Sequence, residues 1–145
     1  MIRSTMSVAA AAGILAFASP VVAHHGTSTN YDYSQAFVGP AVVTAFRYRQ
    51  PHPQIYFDVM EEDGSVTSWA CEIGPNIPWL MREGWTRQRS EEALAPGTRV
   101  TVTITPAVSG EPVGLVNKIE NAQGESVLLD FGLNRVNIVK TIKAR

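Results

Sequence analysis

The sequence predicts an all-β, mainly antiparallel fold: a small OB-like β-barrel with one short helix, or alternatively a β-sandwich. Apolar and polar residues alternate with the period of a half-buried strand over 54–59 and again over 66–73. A third alternating run, over 99–105, is rich in valine, isoleucine and threonine, which favour strands. Turn signals recur between these short runs, as is typical of small barrels and sandwiches.

The first 23 residues have the order of a secretory signal. A single basic residue, Arg3, precedes an apolar run from Val8 to Ala18, and small residues lead up to Ala23. The apolar run is too short to span a bilayer easily, although an uncleaved membrane anchor is the alternative. We therefore predict cleavage after Ala23, a periplasmic or secreted bacterial protein, and no stable membrane insertion afterwards.

The remaining chain is long enough for one domain with a single hydrophobic core. We expect an N-terminal arm over 24–38, a β-barrel domain over 39–133, and a C-terminal tail or last strand over 134–145. The arm is polar and extended, with Tyr31 and Tyr33 as candidate anchors.

Charge and cysteine content restrict the partners and the means of stabilisation. The chain has 12 basic and 13 acidic side chains, and nothing in this near-balance favours a nucleic-acid partner. Cys71 is the only cysteine, so no internal disulfide forms even in an oxidising compartment. Stability must therefore come from packing.

The first full strand is expected over 41–48, after a break at Gly39-Pro40. Two prolines flank His52 in the segment Gln50-Pro51-His52-Pro53, and each lacks an amide donor and pushes its predecessor towards extended geometry. His52 is therefore expected in a stiff corner between two strands.

The next two runs predict a hairpin whose register follows from its loop. A two-residue Asp63-Gly64 turn would set the apolar face of the first strand against Ser68, Ala70 and Glu72, which wastes the pattern. A three-residue loop over 62–64, with Gly64 in the left-handed conformation, keeps the apolar faces together. It sets three facing pairs: Phe57–Trp69, Ile55–Cys71 and Gln54–Glu72. His52 is then expected just beyond Gln54, diagonally within reach of the Glu72 carboxylate.

After the hairpin the period changes. Residues 76–84 predict a short helix capped near Asn76, with Trp79 or Leu80 plugging one end of the sheet. Residues 90–94 add at most one further turn. Later strands are expected over 99–105, 113–120 and 126–131, and the tail from residue 134 has strand propensity but could be disordered.

A set of short motifs occurs in a particular order along the mature chain. They are His24-His25-Gly26, Tyr31-Asp32, Gly39, Pro51-His52, Asp63-Gly64, Trp69 with Glu72, Arg82-Glu83-Gly84-Trp85, and Pro96-Gly97-Thr98 leading into Val100-Thr101-Val102. In these motifs the chain resembles a domain-of-unknown-function family of small exported bacterial proteins, with a mature N-terminal His-His and a Pro-His motif at a strand edge. The resemblance covers most of the mature chain but differs at Gly26, where the family usually has serine, and at Gln50, where it usually has asparagine. It implies export and a β-fold, and it implies no reaction.

The candidate metal ligands are His24, His25, His52 and Glu72. The three histidines are the only ones in the chain, and all lie in turn or extended segments. Cleavage before His24 would give it a free amine that chelates one ion together with its ring, and His52 could complete a three-nitrogen brace. Imidazole suits copper, zinc and nickel, and we expect copper in preference to zinc. The alternative is that two exposed histidines merely follow a cleavage site and that His52 only caps a turn. Glu72 could orient an imidazole or supply an oxygen ligand.

Other candidates have simpler interpretations. Asp58 lies on the same polar face as Glu72, where solvated strand residues are common. Cys71 could be a copper thiolate with Met60 or Met81, but its phase places it in the core. Trp69, Trp79 and Trp85 could form a stacking surface for a sugar or another ring, although core packing is the commoner use of tryptophan.

The leading functional hypothesis is an exported, non-catalytic binding protein that holds copper for storage, delivery or sensing. The alternative is a metal-free interaction module that binds a small molecule, glycan or partner protein through a tryptophan-lined groove. A redox enzyme built on the same histidine brace is the third possibility.

Overall fold

The computed structural model describes residues 30–143 of the chain. Within them, short strands surround one core, with two short helices inserted between the third and fourth strands. The elements are β1 (Ala36–Arg47), β2 (Gln54–Met60), β3 (Val66–Ile73), α1 (Ile77–Arg82), α2 (Arg87–Ala93), β4 (Arg99–Pro106), β5 (Val113–Glu120) and β6 (Ile138–Thr141).

The first five strands close into a barrel in the order β2-β3-β5-β4-β1, with β1 pairing back onto β2. Strand β1 closes the barrel because residues 37–42 pair with β4 and residues 41–47 pair with β2, and a register shift between Val43 and Ala45 interrupts the pairing with β2. The pairs β3–β5 and β1–β6 are parallel, and the other pairs are antiparallel. The predicted all-β, OB-like barrel is confirmed.

The hairpin register predicted from the sequence is also confirmed. Phe57 faces Trp69, Ile55 faces Cys71 and Gln54 faces Glu72. The backbone of Glu61 and Ser65 closes the loop, and Gly64 has the positive φ of 87° that the three-residue loop requires. The inner faces of β2 and β3 thus join the core, and their outer faces carry the polar row.

The core is apolar and is supplied by every barrel strand. Leu80 of α1 is fully buried in this core, whereas its neighbour Trp79 is 37% exposed. The largest fully buried apolar side chains are Phe57, Ile55, Ile73, Leu80, Leu94, Ile104, Leu115, Val43, Val59 and Val102.

Strand β1 begins earlier than predicted and passes through the expected break at Gly39-Pro40. Pairing with β6 ends at Val38 and pairing with β2 begins at Ala41, so Pro40 has β4 alone as a paired neighbour. A residue without an amide donor is tolerated where one side of the strand is unpaired.

The prediction of a strand over 126–131 is wrong. The segment does bond along the second half of β5, which lies beyond the pairing with β3: the amides of Val127 and Phe131 donate to the carbonyls of Ile119 and Asn117. These contacts and the bridge from Ser126 to Glu120 remain isolated, because Leu128 takes a positive φ of 64° that ends any extended run.

The remaining differences concern the helices and the tail. The predicted helix is observed as α1, with the side chain of Asn76 accepting from the amide of Trp79 as its cap. The segment expected to give one turn at most forms the longer α2, which Thr86 caps. The tail adds β6 beside β1. No helix of the described part of the chain is long and apolar enough to cross a membrane.

Candidate functional site

Three side chains from distant parts of the sequence meet at the outer face of β3. Glu72 Oε2 accepts a hydrogen bond of 3.2 Å from the hydroxyl of Tyr31, and Glu72 Oε1 lies 3.8 Å from Nδ1 of His52. All three side chains are partly buried. The predicted approach of His52 to Glu72 is therefore observed, and Tyr31 joins them.

His52 is held by a corner that is fixed at both ends. The amide of Ile73 donates to the carbonyl of Pro53 (3.0 Å), and the amide of Ile77 donates to the carbonyl of Pro51 (3.1 Å). Nδ1 of His52 lies 3.2 Å from the carbonyl oxygen of Ile73. Because a carbonyl only accepts, this contact places the proton of a neutral imidazole on Nδ1 and leaves the lone pair on Nε2.

Tyr31 reaches the site through the start of the described chain, which pairs with the segment after β4. Tyr31 forms a bridge with Ala107, and the amide of Asp32 donates to the carbonyl of Pro106 (2.8 Å). Burial, and after it the negative charge of Glu72, raises the pKa of the Tyr31 phenol well above its usual value. Tyr31 therefore remains a neutral hydrogen-bond donor across the physiological pH range.

A surface cleft of about 190 Å³ lies beside this cluster. It follows from the small side chain of Ala70, which faces Tyr56 on one neighbouring strand and Val113 on the other. The residues that line it are Tyr31, Gln54, Tyr56, Ala70, Cys71, Glu72, Val113 and Gly114.

The structure brings together only part of the predicted metal site. His52 and Glu72 are neighbours, whereas His24 and His25 lie outside the described residues. Over residues 30–143 no group of three or more histidine, cysteine, aspartate or glutamate side chains could hold a metal ion. The described chain thus contains two of the four predicted ligands, His52 and Glu72.

Asp58 and Cys71 do not belong to this cluster. Asp58 lies four residues along β2 from Gln54, and its carboxylate accepts a hydrogen bond of 2.7 Å from Ser68. Cys71 is buried in the core, and this burial raises the pKa of its thiol. The two methionines considered with it, Met60 and Met81, are about half exposed on the hairpin end and on α1.

The three tryptophans lie in different surroundings. Trp69 packs against Phe37 with ring centroids 5.0 Å apart, and its buried Nε1 has no hydrogen-bond partner in the described chain. Trp85 is buried beneath the guanidinium of Arg89, which lies 3.9 Å from the ring centroid. Trp79 is the most exposed of the three. None of them lines the cleft described above.

Sequence reasoning expected Tyr31 to anchor the arm but missed its contact with Glu72, and it missed the contribution of Tyr56 to the cleft. Alternation along β2 placed Tyr56 on the same outer face as Gln54, so the signal for the cleft was present. The Tyr31–Glu72 contact had no local signal, because it joins residues 41 positions apart through the pairing of Tyr31 with Ala107.

Comparison with known proteins places most of the chain in a family without an assigned role. A family model described as a family of unknown function matches residues 11–118. No curated protein matches the chain, and no solved structure matches it either.

Proposed function

Because the chain belongs to the family of unknown function DUF6152, whose description supplies no reaction, we propose a function from the chemistry of the site. The protein is an exported, non-catalytic binding protein that holds a copper ion for storage, delivery or sensing. The ligands are the amino group and imidazole of His24 at the mature N-terminus, His25, and Nε2 of His52. Nitrogen donors of this kind bind copper(II) more tightly than zinc.

The arrangement of His52 is the observation that carries this proposal. A metal-binding histidine usually donates its second ring nitrogen to a carbonyl or carboxylate, which fixes the ring and its tautomer. His52 has this arrangement, with Nδ1 on the carbonyl of Ile73 and Nε2 left to coordinate. The backbone on either side of His52 is hydrogen-bonded to Ile73 and Ile77, so the ring loses little conformational freedom when it binds a metal ion.

The start of the described chain supports a contribution from the arm. Tyr31 and His52 contact the two oxygens of the same carboxylate, that of Glu72. His25 precedes Tyr31 by six residues, which span at most about 20 Å when extended. Both N-terminal histidines are therefore tethered within reach of His52.

Glu72 acts in this proposal as a positioning residue. Its carboxylate lies beside Nδ1 of His52, on the side of the ring away from Nε2, and it holds Tyr31 at the same time. Such a carboxylate orients the imidazole and fixes the arm without occupying a position on the metal. Two roles were expected for Glu72, orienting an imidazole or binding the metal, and this proposal assigns it the first.

Calorimetric titration with copper(II) tests the proposal on the chain that begins at His24. The account predicts tight one-to-one binding that weakens at least tenfold in His52→Ala. Acetylation of the His24 amine removes this nitrogen from the chelate without adding a residue, and it is expected to weaken binding as well. Equal affinity of the protein, of His52→Ala and of a free peptide spanning 24–30 would overturn the proposal.

A further inference from the structure

We propose that the cleft between Tyr31 and Tyr56 is a binding site for a neutral sugar ring of pyranose size. His52, the proposed copper ligand within the described chain, does not line this cleft, whereas its neighbour Glu72 does, so the two sites share a positioning residue and no ligand. The cleft lies on the outer face of β2 and β3. OB-like barrels commonly bind oligosaccharides or oligonucleotides on the corresponding face, which supports the proposal by analogy of fold alone.

The shape of the cleft sets the size of the ligand. Its volume of about 190 Å³ is smaller than the roughly 300–1,000 Å³ of pockets that enclose drug-sized molecules. Ala70 forms its floor, between the ring of Tyr56 and the side chain of Val113. One ring that packs its carbon–hydrogen face on these apolar atoms fits this space.

Two polar side chains at the cleft are free to bind hydroxyls. The Gln54 amide and the Tyr56 hydroxyl have no hydrogen-bond partner among residues 30–143, whereas the two oxygens of Glu72 face Tyr31 and His52. Gln54 thus offers both a donor and an acceptor, and Tyr56 offers a hydroxyl. Several fixed donors and acceptors around aromatic rings suit a polyhydroxylated ring.

The charges at the cleft favour a neutral ligand. The guanidinium of Arg47 lies 5.0 Å from the ring centroid of Tyr56, where it already makes the contact that an organic cation would seek. An anion would meet the carboxylate of Glu72, which lines the cleft. One positive and one negative group therefore flank the site, and neither a cation nor an anion gains net attraction.

Amide NMR titration of the metal-free chain that begins at His24, in the presence of a chelator, tests this site. Methyl α-glucopyranoside and methyl β-galactopyranoside are the probes, with tetramethylammonium and acetate as charged comparisons. We expect at least one pyranoside to shift the amides of Gln54, Ala70 and Gly114 with millimolar affinity, since a single ring buries few atoms. The charged compounds should leave these amides unchanged.

Substitutions then locate the binding. Ala70→Leu fills the floor and is expected to abolish the shifts, whereas Ser68→Leu, on the same face of β3 but outside the cleft, should retain them. Gln54→Ala should weaken binding severalfold without filling the cleft, which provides a second variant. The proposal would be overturned if neither pyranoside shifts these amides or if tetramethylammonium shifts them instead. It would also be overturned if the shifts survive Ala70→Leu. Copper binding should persist in Ala70→Leu, so the two proposals fail separately.

Discussion

The hydroxyl of Tyr31 donates to Oε2 of Glu72 across 41 positions of the sequence, and this contact joins the N-terminal arm to the outer face of the barrel. Glu72 also faces His52 through its other oxygen. One carboxylate therefore fixes the exit of the arm and the orientation of the only histidine outside it. Both proposals depend on side chains that this carboxylate positions.

Removal of the Tyr31 hydroxyl should destabilise the protein measurably. Tyr31→Phe loses a partly buried hydrogen bond to a charged group, and we expect the free energy of unfolding to fall by about 1 kcal/mol. Tyr33→Phe is the matched control, because the buried hydroxyl of Tyr33 has no partner in the described chain. Urea unfolding should show that the control stays within about 0.5 kcal/mol of the parent. Equal losses in the two variants would contradict the anchoring role.

Alkaline pH should weaken the same contact. The pKa of Tyr31 is raised by burial and then by Glu72, so the folded protein holds its phenol proton more tightly than the unfolded chain does. This contribution is complete below about pH 10, the usual phenol pKa, and is lost as pH rises towards the folded value. Urea unfolding at successive pH values above 10 should show a steeper loss of stability in the parent than in Tyr31→Phe. Parallel curves would contradict the shift.

A buried polar pair supports the last barrel strands and the segment that follows them. Asn117 is fully buried, accepts a hydrogen bond of 2.6 Å from Thr105 and donates one of 3.0 Å to the carbonyl of Phe131. Asn117→Ala leaves two buried groups without partners and should cost about 2–3 kcal/mol. A double-mutant cycle with Thr105→Val should give a coupling energy above about 0.5 kcal/mol.

Thr103→Val is the control for that cycle. Thr103 is also a buried threonine of β4, but its hydroxyl has no side-chain partner among the described residues. Its combination with Asn117→Ala should be additive in the free energy of unfolding. Additivity of the Thr105 pair as well would show that the Thr105–Asn117 contact contributes nothing.

The thiol of Cys71 should be unreactive in the folded protein. The side chain is 4% exposed, and burial raises the pKa of its thiol, so little thiolate forms near neutral pH. A chromogenic disulfide reagent should therefore label Cys71 of the native protein only as fast as the fold opens to expose the thiol. In urea, where the protein is unfolded, labelling should be immediate. Rapid labelling under native conditions would contradict the burial and reopen a role for Cys71 as a ligand.

The parts of this molecule that could be predicted are those determined by local patterns. Alternation along β2 and β3 and the Asp63-Gly64 loop were sufficient to give the hairpin register, because a slip of one residue would have exposed Phe57. That register alone brought Glu72 close to His52. Pairing between segments that are distant in sequence could not be predicted in this way. Pro40 was interpreted as a break in the strand, because the sequence does not show which strands lie beside it and therefore whether its missing amide donor matters.

Tyr31 was expected to anchor the arm, but its partner escaped prediction for the same reason. Its contact with Glu72 follows from a bridge to Ala107, which neither flanking segment encodes alone. The error over residues 126–131 has a local cause: strand propensity is present and the segment bonds to β5, but the positive φ of Leu128 interrupts the extended backbone. Periodicity therefore identified the faces of the barrel, whereas the pairing of Tyr31 and the conformation of Leu128 were not encoded in it.

The most direct test of the copper proposal is pulsed electron paramagnetic resonance of the one-to-one copper(II) complex of the chain beginning at His24. The account predicts nitrogen couplings from the imidazole of His52 in addition to those of the N-terminal residues, and loss of one imidazole in His52→Ala. Identical spectra for the parent protein, His52→Ala and a free peptide spanning 24–30 would show that the arm binds copper without the barrel, and would contradict the central claim.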